Sequence, residues 1–490
     1  MSLDTPEPLQ AVASLFHRRA PGAHVPYRDA SKGAALLSAC GLALDYSRQR
    51  LDVDGFSELR RLAVDRDVIG AHRSMAKGEA VNATERRAAL HIALRAPMDE
   101  AFGAPRSVVQ AVHDQLDRLR AFATDVRSGA WKGATGRPIA DVINIGIGGS
   151  DSGPRLVCDA LADLSDGPHI HFLSNVDGHA VARLLPRLRP ATTLVIVSSK
   201  SFSTRETLLN ASAVRAWIEA DGIRSTALAQ HMVVVSANAD AAAIVGLPAS
   251  SQFFLWDWVG GRFSVWSAIG LPAMLSIGPE RFDAFLEGGH AMDRHSIDAP
   301  LEANLPATLA LLALWNAVVL QTSSLCLLPY DDRLRGMVTW LQQVEMESLG
   351  KSRSLNGEIV TVPTSPVIWG GVGTDAQHTF FQALRQGTLR TAIDIVVVDR
   401  AQHAYPEHHR ALVANARAQA EALVAEDPDS RSLNAVSVLQ LDALTPATLG
   451  SLLALYEHKT TMLATLLGIN AFDQPGVEFG KLLAQQLEGQ

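Results

Sequence analysis

A chain of 490 residues, 47% of them hydrophobic, is long enough to bury the cores of two or three domains. Only 19% of the residues are charged, the formal net charge is −8 and no basic run occurs, so nucleic acid is not an expected partner. Cys40, Cys158 and Cys326 lie too far apart for a disulfide framework or a metal spacing, which favours a reducing, cytoplasmic setting.

The opening MSLDTPEPLQ has neither the basic region nor the apolar core of a signal peptide. Residues 1–104 read as a mostly helical segment packing on the second domain. Helical apolar spacing runs over 57–71 and 84–93, with Asn82 or Thr84 as a cap for the latter. Residues 105–265 change to a βαβ pattern. Branched apolar strands at 141–147, 169–174, 192–198 and 231–236 alternate with helical stretches such as 203–220, a spacing that suits right-handed crossovers in a parallel sheet.

Residues 266–445 have a similar build, without a clear sequence repeat. Helices are predicted at 305–328, 334–345, 376–386 and 406–424, strands at 358–362 and 391–398, and a candidate third strand at 434–440. The uncharged run 303–330 is nearly long enough to span a bilayer, but it holds Asn316, Gln321, Thr322, Ser323 and Ser324. It reads as a helix buried between the sheet and its neighbours, so no membrane partner is expected. A helix over 445–467 begins the C-terminal helical segment, 446–490. The expected fold class is α/β, two doubly wound parallel-sheet domains with N- and C-terminal helical segments. The cleft between the domains, at the carboxyl ends of strands, is the expected ligand site.

The stretch DVINIGIGGSDSGP, 141–154, places glycines directly after a strand and before a helix start, where backbone N–H groups and the helix dipole favour an anion. An ordinary βα turn would read the same way. It is not a dinucleotide fingerprint, because Asp151 stands at the third glycine position. Nor is Gly350-Lys351-Ser352 a P-loop, because Glu345 replaces the leading glycine. After the strand at 192–198 comes SKSFSTRET, with five hydroxyl side chains in nine residues, able to wrap phosphate oxygens or merely to cap a helix.

Gly260-Gly261 before Arg262 suggests an arginine presented by a tight turn, either to a developing oxyanion or in a structural salt bridge. Glu345 and Glu347, two apart on a helix-like stretch, face different ways, one as a base and the other as a surface charge. His378, near a predicted helix start, is a candidate for proton transfer or a satisfied structural histidine. Lys481 follows Gly480 close to the C-terminus, where a lysine is usually solvated. Together these form a phosphate cup with a carboxylate, an imidazole, an arginine and a lysine. That set can move a proton beside a carbonyl, and it demands no metal or redox cofactor.

Long motifs then resemble the glucose-6-phosphate isomerase (phosphoglucose isomerase) family, built on two sugar-isomerase (SIS-type) domains. They are NATERRAALHIALR at 82–95, INIGIGGSDSGP at 143–154, SKSFSTRET at 199–207 and WDWVGGRFSVWSAIGL at 256–271. EMESLGKS at 345–352, GGVGTDAQHTFFQ at 370–382, YEHKTTML at 456–463 and FDQPGVEFGK at 472–481 complete the set. The resemblance implies reversible aldose–ketose isomerisation of glucose 6-phosphate and fructose 6-phosphate through a cis-enediol. By matching position, Glu347 would be the base and Arg262 the enediolate stabiliser. His378 would open the ring with help from Lys481, and Glu206 would orient His378.

The resemblance also gives Ser199, Ser201, Thr204 and Thr207, with the backbone at Ser150 and Lys200, the phosphate. Gly149, Gly261, Gln343 and Gln474 would line the substrate site. It implies a homodimer in which the ring-opening histidine crosses from the partner subunit. Departures from the family pattern are Ser201 for the usual Thr, Leu349 for Asn, Pro475 for Trp and Arg385 for His. None removes a reacting group. A non-catalytic sugar-phosphate sensor would need the cup but not Glu347, Arg262, His378 and Lys481 together.

Overall fold

The computed structural model describes residues 35–425 and 434–477, with 480, 483, 486 and 487 beyond them. The first sheet has five parallel strands: β3 (Asp141–Ile145), β4 (His169–Leu173), β5 (Thr193–Ser198), β6 (Met232–Ser236) and β7 (Gln252–Phe254), in the order β4-β3-β5-β6-β7. This is flavodoxin-like winding, which places a topological switch point between β3 and β5. Every residue of β5 is buried, as a strand covered on both faces requires. Its side chains alternate, Leu194 and Ile196 packing into the core shared with the rest of the chain, Val195 and Val197 into a separate cluster on the other face.

The second sheet is wound alike. Its parallel part runs β11-β10-β8-β9, formed by Ala435–Leu441, Thr391–Val398, Ser324–Tyr330 and Val367–Gly370. An antiparallel hairpin, β1 (Leu36–Ala39) and β2 (Leu42–Arg48), extends it by pairing with β11. The fold is therefore α/β with two doubly wound parallel sheets of SIS type. A single apolar core runs from Val142 and Leu194 of the first sheet to Leu327 and Val396 of the second.

Several predicted elements are corrected. The N-terminal segment is not all helical. Beside the helices Val53–Asp65 and Val68–Lys77 it holds the β1–β2 hairpin, and 84–93 contains only a bridged turn, Asn82 to Arg87, and one 3-10 turn, His91–Leu94. Asn82 and Thr84 cap no helix; their side chains bond Glu85 and Asp473. The run predicted as one helix over 305–328 is the helix Leu305–Val318 followed by β8, with Gln321 turning the chain at φ +55. The short apolar stretch 325–328 has the same pattern in a buried helix and a buried strand. The predicted strand at 358–362 is a bridged turn around Gly357, with Ile359 57% exposed, and the strand lies further on as β9.

The helix Pro446–Leu467 is buried along almost its whole length and opens with a Thr445–Thr448 capping box. It crosses Pro279–Asp298 very closely, because a side chain at Gly288 or Gly450 would overlap the opposing backbone. Among the described residues, no helix is long and apolar enough to cross a membrane.

Candidate active site

The site begins at the β3–β5 switch point. After β3 the chain makes a 3-10 turn, Gly148–Ser150, with Gly148 at φ +60. A Cβ at Gly149 would overlap the carbonyl of Gly261, so only glycine lets this turn lie against the loop that carries Arg262. Buried Asn144 fixes both strand ends: its Nδ2 donates to Ser150 O at 2.9 Å, and its Oδ1 accepts from Ser198 Oγ at 3.1 Å.

After β5, Ser199 is buried and acts inside the loop, accepting from Phe202 N at 3.1 Å and donating to Thr204 Oγ1 at 3.3 Å. Phe202 holds φ +55, a costly conformation for a bulky residue in the loop after β5. Ser201 and Ser203 are exposed and bond each other at 2.8 Å. Thr204 is the N-cap of Arg205–Ala220 but makes no side-chain cap, so first-turn N–H groups remain open to an anion. Thr207 is buried in that turn.

The Lys200 ammonium does not point to the cup. It donates to the carbonyls of Asp257 and Val259, both at 2.8 Å, and ties the cup to the loop leading to Gly261 and Arg262. Burial, with Arg87 nearby, lowers its pKa from the usual lysine value.

Arg262 is 4% exposed. Its Nε donates to Ser348 Oγ at 2.6 Å, and Nη2 to the carbonyls of Ala471 and Asp473. That leaves Nη1 facing Gln474 Oε1 at 3.1 Å and Glu347 Oε2 at 3.7 Å. Burial lowers the arginine's pKa, while Glu347 and Asp473 favour the charge. Glu347 ends a π-helical turn, Gln342–Glu347, and its side chain is 24% exposed. Such turns often mark functional positions. Gln343 on the same turn accepts from Ser152 Oγ at 3.1 Å beside the glycine loop.

Gly149, Ser150, Ser199, Lys200, Ser201, Thr204, Thr207, Gly261, Arg262, Gln343, Glu347 and Gln474 lie on four adjoining loops and one helical turn. Two predicted residues do not join them within one chain. His378 is exposed, and its ring makes no hydrogen bond or ion pair with a described residue. It follows the short helix Gly373–Gln377 at its carboxyl end, not at a helix start as predicted. Glu206 is half-buried, and no hydrogen bond or ion pair joins it to His378. Lys481 lies outside the described residues.

Glu345 is a further correction. It is not a surface charge but fully buried, paired through both oxygens with Lys459 Nζ at 2.9 and 2.8 Å. Sequence reading also missed Lys351, whose Nζ holds the carbonyls of Glu347 and Ser348 at 2.8 and 3.0 Å and faces Asp473 at 3.4 Å. A charged residue inside an apolar stretch was the available signal for the burial of Glu345 and Lys459, whereas Lys351 stands in the polar run SLGKSRS. Of the departures, Leu349 is buried in the core, and Arg385 bonds the Ala425 carbonyl at 2.7 Å.

Two SIS-type α/β sheets, with a hydroxyl loop at a switch point and a carboxylate facing a buried guanidinium, define a phosphosugar isomerase architecture. Within that class the chain belongs to the phosphoglucose isomerase family, whose pattern it matches over residues 45–435 and 432–490. It is 45% identical over 478 residues to a Cupriavidus taiwanensis protein named glucose-6-phosphate isomerase, covering 93% of this chain and 87% of that one. A Brucella ovis protein of the same name is 45% identical over 473 residues, covering 91% and 86%. The crystal structure of a glucose-6-phosphate isomerase from Chlamydia trachomatis superimposes with a TM-score of 0.86 at 30% identity, covering 99% of this chain and 96% of that one.

Proposed function

We propose that this cleft performs the reversible isomerisation of glucose 6-phosphate and fructose 6-phosphate, a step of glycolysis and, in reverse, of gluconeogenesis. The observation that carries the reading is the Glu347 carboxylate 3.7 Å from a guanidinium whose other edges are occupied by protein acceptors. Glu347 moves a proton between C1 and C2 of the open-chain sugar, and the free edge of Arg262 stabilises the enediolate that forms between the two transfers. The hydroxyls of Ser201 and Thr204, with the N–H groups at the start of Arg205–Ala220, hold the phosphate. Gly149, Gln343 and Gln474 line the sugar.

Ring opening falls to His378, oriented by Glu206 and assisted by Lys481. An exposed histidine with no hydrogen-bond or ion-pair partner among the described residues suits a homodimer in which it serves the other subunit's cleft. The three cysteines, all free, suit a cytoplasmic location.

The test is proton NMR of fructose 6-phosphate with the protein in D₂O. Glucose 6-phosphate carrying deuterium at C2 is expected, and Glu347→Gln should lower turnover about 10²–10⁴-fold while still binding substrate. Wild-type turnover in that variant would remove Glu347 from the mechanism. Binding without product in the wild type would favour a sensor.

A further inference from the structure

The mechanism leaves the second carboxylate of the π-turn unused. Glu345 is 0% exposed and Lys459 2%, and the lysine reaches the carboxylate from the helix Pro446–Leu467, 114 residues away in sequence. That helix cannot easily rotate or slide. Tyr456 donates to Asp394 at 3.0 Å, Glu457 accepts from Arg95 and Trp266 at 2.8 Å each, and His458 lies 2.7 Å from Asp293.

We infer that the Glu345–Lys459 pair is a positioning device for Glu347; this rests on Glu347 being the base. Residues two apart on a helical turn point to nearly opposite sides. Fixing Glu345 inward therefore sets the rotation of the turn and aims Glu347 at the cleft. A π-helical turn has a less favourable geometry than an α-helix and depends on contacts outside itself to persist. The pair supplies those contacts at the centre of the turn, and Lys351 holds its last carbonyls.

A buried ion pair is a poor source of stability, since similarly sized apolar residues often serve as well or better. This separates positioning from a merely structural role. The double variant E345M/K459M replaces the charges with apolar side chains of similar volume. It should keep an unfolding midpoint near that of the wild type, while kcat for fructose 6-phosphate falls tenfold or more and KM changes less than threefold. The single variant E345Q keeps the shape but offers Lys459 one acceptor oxygen instead of two, and should lose kcat about threefold with KM unchanged.

A folded double variant with wild-type kcat would overturn the inference, and so would a rise in KM alone. If the double variant does not fold, E345Q decides by the same criteria. Glu347→Gln is assayed alongside. Full activity there refutes the base assignment, whereas an inactive Glu347→Gln beside fully active Glu345 variants refutes only the positioning role.

Discussion

After β5, Ser201 and Ser203 stand exposed and bond within their own loop, whereas on Pro446–Leu467 four successive polar side chains, Tyr456 to Lys459, are all buried and all partnered. The contrast follows from what each region must do. A loop that holds phosphate, the role we propose for this one, has to exchange water for phosphate oxygens at every turnover, so its hydroxyl donors stay accessible and carry no fixed charge of their own. The helix exchanges nothing. Its polar groups are desolvated once, on folding, and each then needs a lasting partner. Removing one partner from the helix's network should therefore show first as lost stability, unlike exchanging the Glu345–Lys459 pair whole, and loss of the loop's hydroxyls should show as lost affinity.

The largest effect is expected at Arg95, which is fully buried over Trp266 at 4.0 Å. It bonds Asp293 at 2.6 and 2.7 Å and Glu457 at 2.8 Å. Arg95→Met keeps much of the stem but strands two carboxylates, which should cost about 3–5 kcal/mol. A urea midpoint equal to that of the wild type would contradict this account of the buried network.

The same region should make the fold acid-sensitive. Burial holds His72 and His91 well below the usual histidine value and lowers His458 as well. Below about 6.5 the unfolded chain takes up protons that these rings refuse in the fold. Their contribution is complete above that value and is lost as pH falls toward the lower folded-state values, at about 1.4 kcal/mol per pH unit for each ring. Glu457, pushed up to about 7 by burial, works in the opposite sense and offsets about one of them. Net stability should decline between pH 7.5 and 5.5. His91→Phe should make the slope shallower, since His91 stacks on Phe263 at 4.6 Å and its Nε2 has no hydrogen-bond partner among the described residues. Equal urea midpoints at both pH values in the wild type would show that the rings titrate normally.

How much of this could be read in advance differs between the two regions in the same way. The glycine turn, the hydroxyl loop and the Gly-Gly-Arg run announce themselves because their chemistry is local: a few adjacent residues suffice to bind an anion. The roles of Glu345 and Lys459 depend on a partner 114 residues away, which no local pattern reveals. Strand β8 was hidden for another reason, since 305–330 is uncharged and its apolar stretches on either side of 321–324 have no period to separate helix from strand. The β1–β2 hairpin, by contrast, carried a local signal that the reading of 1–104 as mostly helical passed over. Leu42, Leu44 and Tyr46 alternate inward, and the two-residue turn Cys40-Gly41 takes positive φ at both positions.

The smallest effects should come from the cup, and they sharpen the comparison, because two neighbouring residues there ought to fail differently. Ser201→Ala removes one exposed hydroxyl whose protein partner is Ser203 of its own loop and which the proposed function gives to the phosphate. It should raise KM several-fold, in line with about 0.5–1.5 kcal/mol for one hydrogen bond, and leave kcat and stability nearly unchanged. Lys200→Met leaves the cup's hydroxyls in place but frees the carbonyls of Asp257 and Val259, and with them the loop that presents Arg262. Its loss should therefore appear in kcat, about tenfold, and exceed any change in KM. Steady-state kinetics of the two variants side by side would decide the point. If Lys200→Met behaved like Ser201→Ala, the lysine would be a phosphate ligand and the cup would not be coupled to Arg262.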